Sequence, residues 1–81
     1  MPEDIGVILQ IDRGNRVYVA LGKLIQDADG EYYAEQIFSS DPKEMPLPTR
    51  LRLAPKRLEL IQEPEAGRPA IYIHRMILAV L

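Results

Sequence analysis

The sequence contains no cysteine and no tryptophan, and it has one histidine and one phenylalanine among 81 residues. Without cysteine, the chain can form neither a disulfide framework nor a thiolate metal site. Its stability must therefore come from a hydrophobic core of its own, or from a core shared with a partner. The absence of cysteine fits a reducing compartment, and we predict a cytoplasmic protein.

Long hydrophobic runs are also missing. The longest uninterrupted run covers residues 76–81, far short of the roughly 20 residues that a membrane-spanning helix needs. The first four residues, Met-Pro-Glu-Asp, do not form a basic leader. We therefore expect no membrane partner.

The composition that is present belongs to a folded chain. Hydrophobic residues make up 47% of it and charged residues 27%, which predicts a single globular domain over residues 1–81. The net charge is −2, but residues 1–44 hold nine acidic and four basic side chains, whereas residues 45–81 hold three and six. An acidic face and a basic face could each meet a partner or a second copy.

Alternation of apolar and polar residues predicts β-strands in most of the chain. A first strand covers residues 5–11, and a turn at residues 12–15 leads into a second strand at residues 16–25. The alternating apolar residues of these two strands are Ile5, Val7, Leu9 and Ile11, then Val17, Val19 and Leu21. Gly22 interrupts the second strand, where we expect a bend or a bulge.

Three more strands are predicted, separated by clear breaks. They cover residues 32–38, 50–53 and 57–62, and the breaks are a turn at 27–30, a proline-rich loop at 39–49 and a tight turn at 54–56. Five to six short antiparallel strands predict an all-β fold, a small SH3-like or related open barrel over about residues 4–62. The layout of hairpin, bend at Gly22 and proline-marked turn before a short strand resembles SH3-like barrels in architecture.

The final segment, residues 70–81, is unusually apolar for a chain terminus. As a strand, it places Ile71, Ile73, Arg75, Ile77, Ala79 and Leu81 on one face, and Tyr72, His74, Met76, Leu78 and Val80 on the other. Both faces are apolar from Met76 on, so the segment must be covered. A helix is the alternative, and it would also need burial on more than one side.

We predict that this segment is a protein interface added to the barrel. Its contact residues would be Ile71, Ile73, Met76, Ile77, Leu78, Val80 and Leu81. The chain would then be a homodimer or a subunit of a larger complex. The alternative is that the segment forms the last core strand of a self-sufficient monomer.

A cluster of four cations is the second candidate site. Arg50, Arg52, Lys56 and Arg57 lie within eight residues that contain no acid. With nearby tyrosines, they could contact single-stranded nucleic acid or another anion. The whole chain is acidic, with a pI near 5.3, which is unusual for a nucleic-acid binder. The alternative is that Arg50 and Arg52 form ion pairs with the acidic hairpin.

Catalytic, metal and cofactor sites are not predicted. His74 has no second histidine or cysteine to share a transition metal. The segment 27–31, Asp-Ala-Asp-Gly-Glu, lacks the glutamate that a calcium loop needs at residue 36, which is glutamine. The five glycines are scattered and form no phosphate loop. The sequence therefore predicts a non-catalytic interaction or assembly module, with a nucleic-acid-binding barrel as the alternative.

Overall fold

The computed structural model describes residues 5–77, which form one six-stranded sheet and no α-helix. The strands are β1 (Gly6–Asp12), β2 (Val17–Gln26), β3 (Tyr32–Ser39), β4 (Arg50–Leu53), β5 (Leu58–Gln62) and β6 (Ile71–Ile77). A 3-10 helix, Pro55–Arg57, connects β4 to β5. The all-β prediction is confirmed.

The strand order across the sheet is β4-β3-β2-β1-β6-β5. Strands β1 to β4 form an antiparallel meander, and β5 is antiparallel to β6. In contrast, β6 runs parallel to β1, with Gly6 opposite Ile71 and Asp12 opposite Ile77. The sequence predicted only antiparallel strands, because alternation of side chains has the same period of two in either strand direction.

Strand β6 is a central strand of the sheet. It lies between β1 and β5, and within residues 5–77 it is the only strand that pairs with β5. The structure therefore differs from the predicted barrel over about residues 4–62, in which the C-terminal segment was an addition. The strand interpretation of the segment, rather than the helical one, holds for residues 71–77.

The sheet is strongly curved. Its two edge strands, β4 and β5, are joined by only residues 54–57. The edges of a flat six-stranded sheet would lie roughly 24 Å apart, whereas a 3-10 helix rises only about 2 Å per residue. The sheet must curl to bring its edges together at this connection. No ladder joins β4 to β5 in the described part of the chain, so the sheet stays open.

The hydrophobic core fills the concave, inner side of the sheet. Its buried side chains are Val7, Leu9, Ile11, Ala20, Ala34, Met45 and Leu53. Met45 comes from the proline-rich loop, which is held over the sheet where the Arg13 guanidinium donates a hydrogen bond to the carbonyl of Glu44, 3.0 Å away. The loop thus closes part of the core that a single sheet leaves open.

The first half of β2 turns Val17, Val19 and Leu21 away from this core. Ala20 is 2% exposed, whereas Val17 and Leu21 are each 56% exposed. The pairing with β1 explains this orientation, because Ala20 lies opposite the buried Leu9 and directly opposed residues share a face of the sheet. The residues that alternation marked as the apolar side of β2 therefore lie outside.

Gly22 sits at the bulge that the sequence predicted, but the extra residue belongs to β3. Leu21 pairs with Phe38 and Lys23 with Glu35, so Gly22 alone opposes Gln36 and Ile37. Gln36 adopts a φ of 54°, in the left-handed region. A Cβ at position 22 would lie 3.2 Å from the carbonyl oxygen of Glu35, so glycine permits the close approach of the two strands.

Candidate protein interface

A continuous apolar row crosses the convex, outer side of four strands. Phe38 pairs with Leu21, Leu21 with Ile8, and Ile8 with Ile73. Because directly opposed residues project from the same face, all four side chains lie side by side. Phe38 is 77% exposed, and Ile8 and Ile73 are half-buried. Exposure of this row of apolar side chains to water is unfavourable in free energy.

Two further rows extend this surface. Val19 and Val17 lie opposite Gln10 and Asp12 of β1, and Asp12 in turn lies opposite Ile77, which is 77% exposed. We name the whole set the outer apolar face. It consists of Ile8, Val17, Val19, Leu21, Phe38, Ile73 and Ile77.

The size of the outer apolar face is that of a functional patch. A large apolar side chain has a full surface of about 150–200 Å², and the exposed fractions of the most exposed members amount to roughly 500 Å². This value lies within the range of about 300–600 Å² that the largest apolar patch of a monomeric protein covers, and such patches are often functional. The face is therefore the strongest candidate site in the described part of the chain.

The residues predicted as an interface fall into three groups. Ile71, Ile73 and Ile77 point to the outer side of β6, while Met76 packs against the core. Leu78, Val80 and Leu81 lie outside the described residues. The structure thus brings two predicted residues, Ile73 and Ile77, together with side chains of β2 and β3 that sequence reasoning had not linked to them.

The register of the first hairpin could have identified Val19 and Leu21 of β2 as outward-facing residues. The amide N–H of Arg13 donates to the carbonyl of Arg16, 2.9 Å away, and closes a turn between Asp12 and Val17. Counting outward from this turn places Val19 opposite Gln10 and Leu21 opposite Ile8. Those partners lie on the side of β1 opposite the buried Val7, Leu9 and Ile11, so the register alone turns this side of β2 outward.

The predicted cation cluster is divided between two environments. Arg50 lies 3.2 Å from a carboxylate oxygen of Glu35, and Arg52 lies 2.9 Å from one of Glu31. The guanidinium of Arg50 also stacks over the ring of Tyr33, 3.7 Å from its centroid. These two arginines are engaged by the neighbouring strand, as the alternative interpretation of the sequence expected.

The other two cations, Lys56 and Arg57, lie on the 3-10 helix and are exposed. Among residues 5–77, no carboxylate lies within ion-pair distance of either of them. The four side chains therefore do not form one uncommitted cationic strip. Nucleic-acid binding stays a prediction, with two of its four proposed contacts neutralised by ion pairs.

His74 has a structural position on the inner side of β6. Its side chain is 3% exposed, and its Nε2 accepts a hydrogen bond from the amide N–H of Ala54, 3.1 Å away. This bond places the proton on Nδ1, which has no hydrogen-bond partner in the described part of the chain. His74 thereby fastens the start of the 3-10 helix to the central sheet.

Burial and the nearby charge of Arg57 lower the pKa of His74 below 6.5. The unfolded chain then binds more protons than the folded chain, so acid favours unfolding. We expect the contribution of His74 to the free energy of unfolding to be constant above about pH 6.5 and to fall as the pH decreases below this value. Urea unfolding at pH 7.5, 6.5 and 5.5 measures the effect.

The control for this prediction is His74→Gln, whose side-chain oxygen can still accept the Ala54 N–H. His74 is the only histidine, so the variant should lose most of the pH dependence between 7.5 and 5.5. Equal pH dependence in both proteins would contradict the assignment to His74.

Comparison with known proteins provides no relative from which a function could be transferred. No protein family, curated protein or solved structure matches the chain. Within residues 5–77, no three potential ligand side chains meet in a metal site, and no helix has the length and apolarity to cross a membrane. The argument for function therefore depends on the surfaces of the sheet.

Proposed function

We propose that this protein is a non-catalytic assembly module that self-associates through its outer apolar face. The observation that carries the proposal is the row from Phe38 to Ile73, which is continuous across four strands and open to water. Such a face is stabilised by exclusion from water. The cytoplasmic location expected from the sequence is part of the proposal.

The faces, rather than the edges, are the better surface for association. Edge strand β4 has only four residues and carries Arg50 and Arg52. Edge strand β5 contains Glu59 and is interrupted by a bulge at Ile61. Short, charged or bulged edges are the features with which proteins avoid pairing of strands between molecules. This supports contact through the broad side of the sheet.

A second copy is the partner that fits the face best. The exposed apolar area of roughly 500 Å² is more than half of the about 800 Å² that each partner contributes to a standard interface. The charged side chains on this side include Asp12, Lys23, Glu35, Arg50, Glu59 and Arg75 and are of both signs, with Arg75 paired with Glu59 at 3.1 Å and Arg50 paired with Glu35 at 3.2 Å. A face without strong net charge can meet its own copy without repulsion, as a two-fold dimer requires.

The decisive experiment is the solution mass of the purified chain as a function of concentration. Sedimentation equilibrium should give twice the chain mass of 9.2 kDa at micromolar concentrations. Phe38→Lys places a charge at the most exposed side chain of the row and should weaken the dimer at least about 30-fold, since truncating or charging an important contact costs about 2 kcal/mol or more.

The matched control is Leu60→Lys. Like Phe38, Leu60 is an exposed apolar residue of a strand, but it pairs with the inward-facing Tyr72. This variant should leave the mass unchanged. A monomeric wild type at about 100 μM, or dissociation by Leu60→Lys and not by Phe38→Lys, would refute the proposal. The range from micromolar concentrations to about 100 μM includes the dissociation constants of ordinary dimers.

The closer likeness to SH3-like barrels is also part of the proposal. It is supported by the meander of β1 to β4 and by the 3-10 helix that joins the fourth and fifth strands. The position of β6 between β1 and β5, parallel to β1, departs from that layout. Function is argued from the outer apolar face and does not depend on this likeness.

A further inference from the structure

A cleft of about 320 Å³ opens at one end of the inner side of the sheet. Its walls are Ile5, Leu24, Gln26, Tyr32, Pro55, Leu58 and Tyr72. Strands β2 and β3 form one wall, β5 and β6 form the other, and the 3-10 helix borders the opening. The volume lies in the range of sites for small organic ligands.

The polar side chains of this cleft are Gln26, whose amide N–H donates to the carbonyl of Gly30, and the phenols Tyr32 and Tyr72. Tyr32 and Tyr72 are half-buried and pack against the core, and no residue in the range 5–77 hydrogen-bonds to either hydroxyl. Because Tyr32 lies on one wall and Tyr72 on the other, the two hydroxyls can donate to one molecule between them. Leu24 and Leu58 supply the apolar contacts.

Two cations follow Pro55, the residue of the 3-10 helix that lines the cleft. Lys56 and Arg57 directly follow Pro55, and neither has a carboxylate partner in the described residues. Arg57 also lowers the pKa of His74, so its charge acts on the inner side of the sheet. The nearest acid on the other side of Pro55, Glu31, is already paired with Arg52.

We propose that this cleft binds an apolar carboxylic acid, with its hydrocarbon part between Leu24 and Leu58 and its carboxylate toward Lys56 and Arg57. Charge-assisted hydrogen bonds from lysine and arginine recognise a carboxylate, and the two tyrosine hydroxyls can donate to the same group. The acid could be a free small molecule or the C-terminal residue of a peptide. The site is separate from the outer apolar face, on the opposite side of the sheet.

The test is a titration of the full chain, followed by amide chemical shifts, with 3-phenylpropionate and with its neutral amide as the matched probe. Shifts should concentrate at Leu24, Tyr32, Leu58 and Tyr72. The acid should bind about tenfold more tightly than the amide, which corresponds to one charge-assisted hydrogen bond. A third arm uses an acetylated tripeptide ending in phenylalanine, and tighter binding than that of 3-phenylpropionate identifies a peptide as the source.

Two sets of variants complete the experiment. The double variant Lys56→Ala with Arg57→Ala should reduce binding of the acid about tenfold and leave the amide unaffected. Lys43→Ala, which removes an exposed cation of the proline-rich loop, is the control and should change neither. Equal binding of acid and amide, shifts outside the cleft, or no shifts at about 10 mM ligand, well above the dissociation constants of specific small ligands, would overturn the proposal.

Discussion

A chain that ends at Ala70, without β6, is expected to be unfolded. Strand β6 pairs with β1 on one side and with β5 on the other, so its removal separates β5 from the sheet and leaves β1 as an edge strand. It also removes Tyr72 and Met76, which pack against the core. Each loss costs on the order of 2–3 kcal/mol, and a small domain has only about 5 kcal/mol to lose.

The comparison for this truncation is a chain that ends at Ile77. It keeps every strand pair of the described sheet, so we expect well-dispersed amide proton signals and a cooperative urea transition. The chain ending at Ala70 should show narrow dispersion and no transition. If it folds instead, the predicted barrel over about residues 4–62 is complete by itself, and β6 is an addition, as the sequence suggested.

The second large effect tests which side of β2 faces the core. Ala20→Lys puts an ammonium group at a position that is 2% exposed and opposite the buried Leu9. An unpaired buried charge costs about 3–5 kcal/mol, so this variant should be mostly unfolded. Leu21→Lys, one residue further at a 56% exposed position, should change the free energy of unfolding by less than about 1 kcal/mol.

Both substitutions should be made in the Phe38→Ser background, because a lysine at position 38 would lie directly opposite Leu21→Lys and repel it. There the dimer is expected to be dissociated, so that loss of association cannot imitate loss of folding stability. Urea titrations followed by circular dichroism then report the stability of the monomer. Equal destabilisation by the two lysines would show that β2 has a different register from the one described.

Local patterns in the sequence predicted most of the strands and turns. The alternation in β1 gave its inner face, because Val7, Leu9 and Ile11 repeat every second residue and are all buried. Gly22 marked the bulge, since a Cβ at this position would crowd the carbonyl oxygen of Glu35. In both cases the deciding interaction is within one strand or between two adjacent ones.

Long-range pairing could not be predicted in the same way. The position of β6 between β1 and β5 depends on contacts between residues far apart in sequence, and alternation within residues 71–77 does not specify the partner. The outward face of β2 was missed for a related reason. Val17, Val19 and Leu21 are more apolar than Tyr18 and Ala20, yet the hairpin register overrides composition and turns them to solvent.

The candidate site was predicted in part. Apolarity alone identified Ile73 and Ile77 as residues that need cover, and the structure places both in the outer apolar face. Phe38 could not be assigned, because the bulge opposite Gly22 shifts the alternation of β3 by one residue. A period-two pattern fails wherever one extra residue enters a strand.

The parallel pairing of β1 with β6 has a consequence for how the chain acquires its structure. Gly6 meets Ile71 across 65 positions, and contacts of such long sequence separation form slowly because the intervening chain must first be ordered. Until β6 has paired with β1 and β5, one side of β1 and all of β5 lack a hydrogen-bonding neighbour. We therefore expect refolding on the millisecond to second timescale, with aggregation as the competing reaction during that interval.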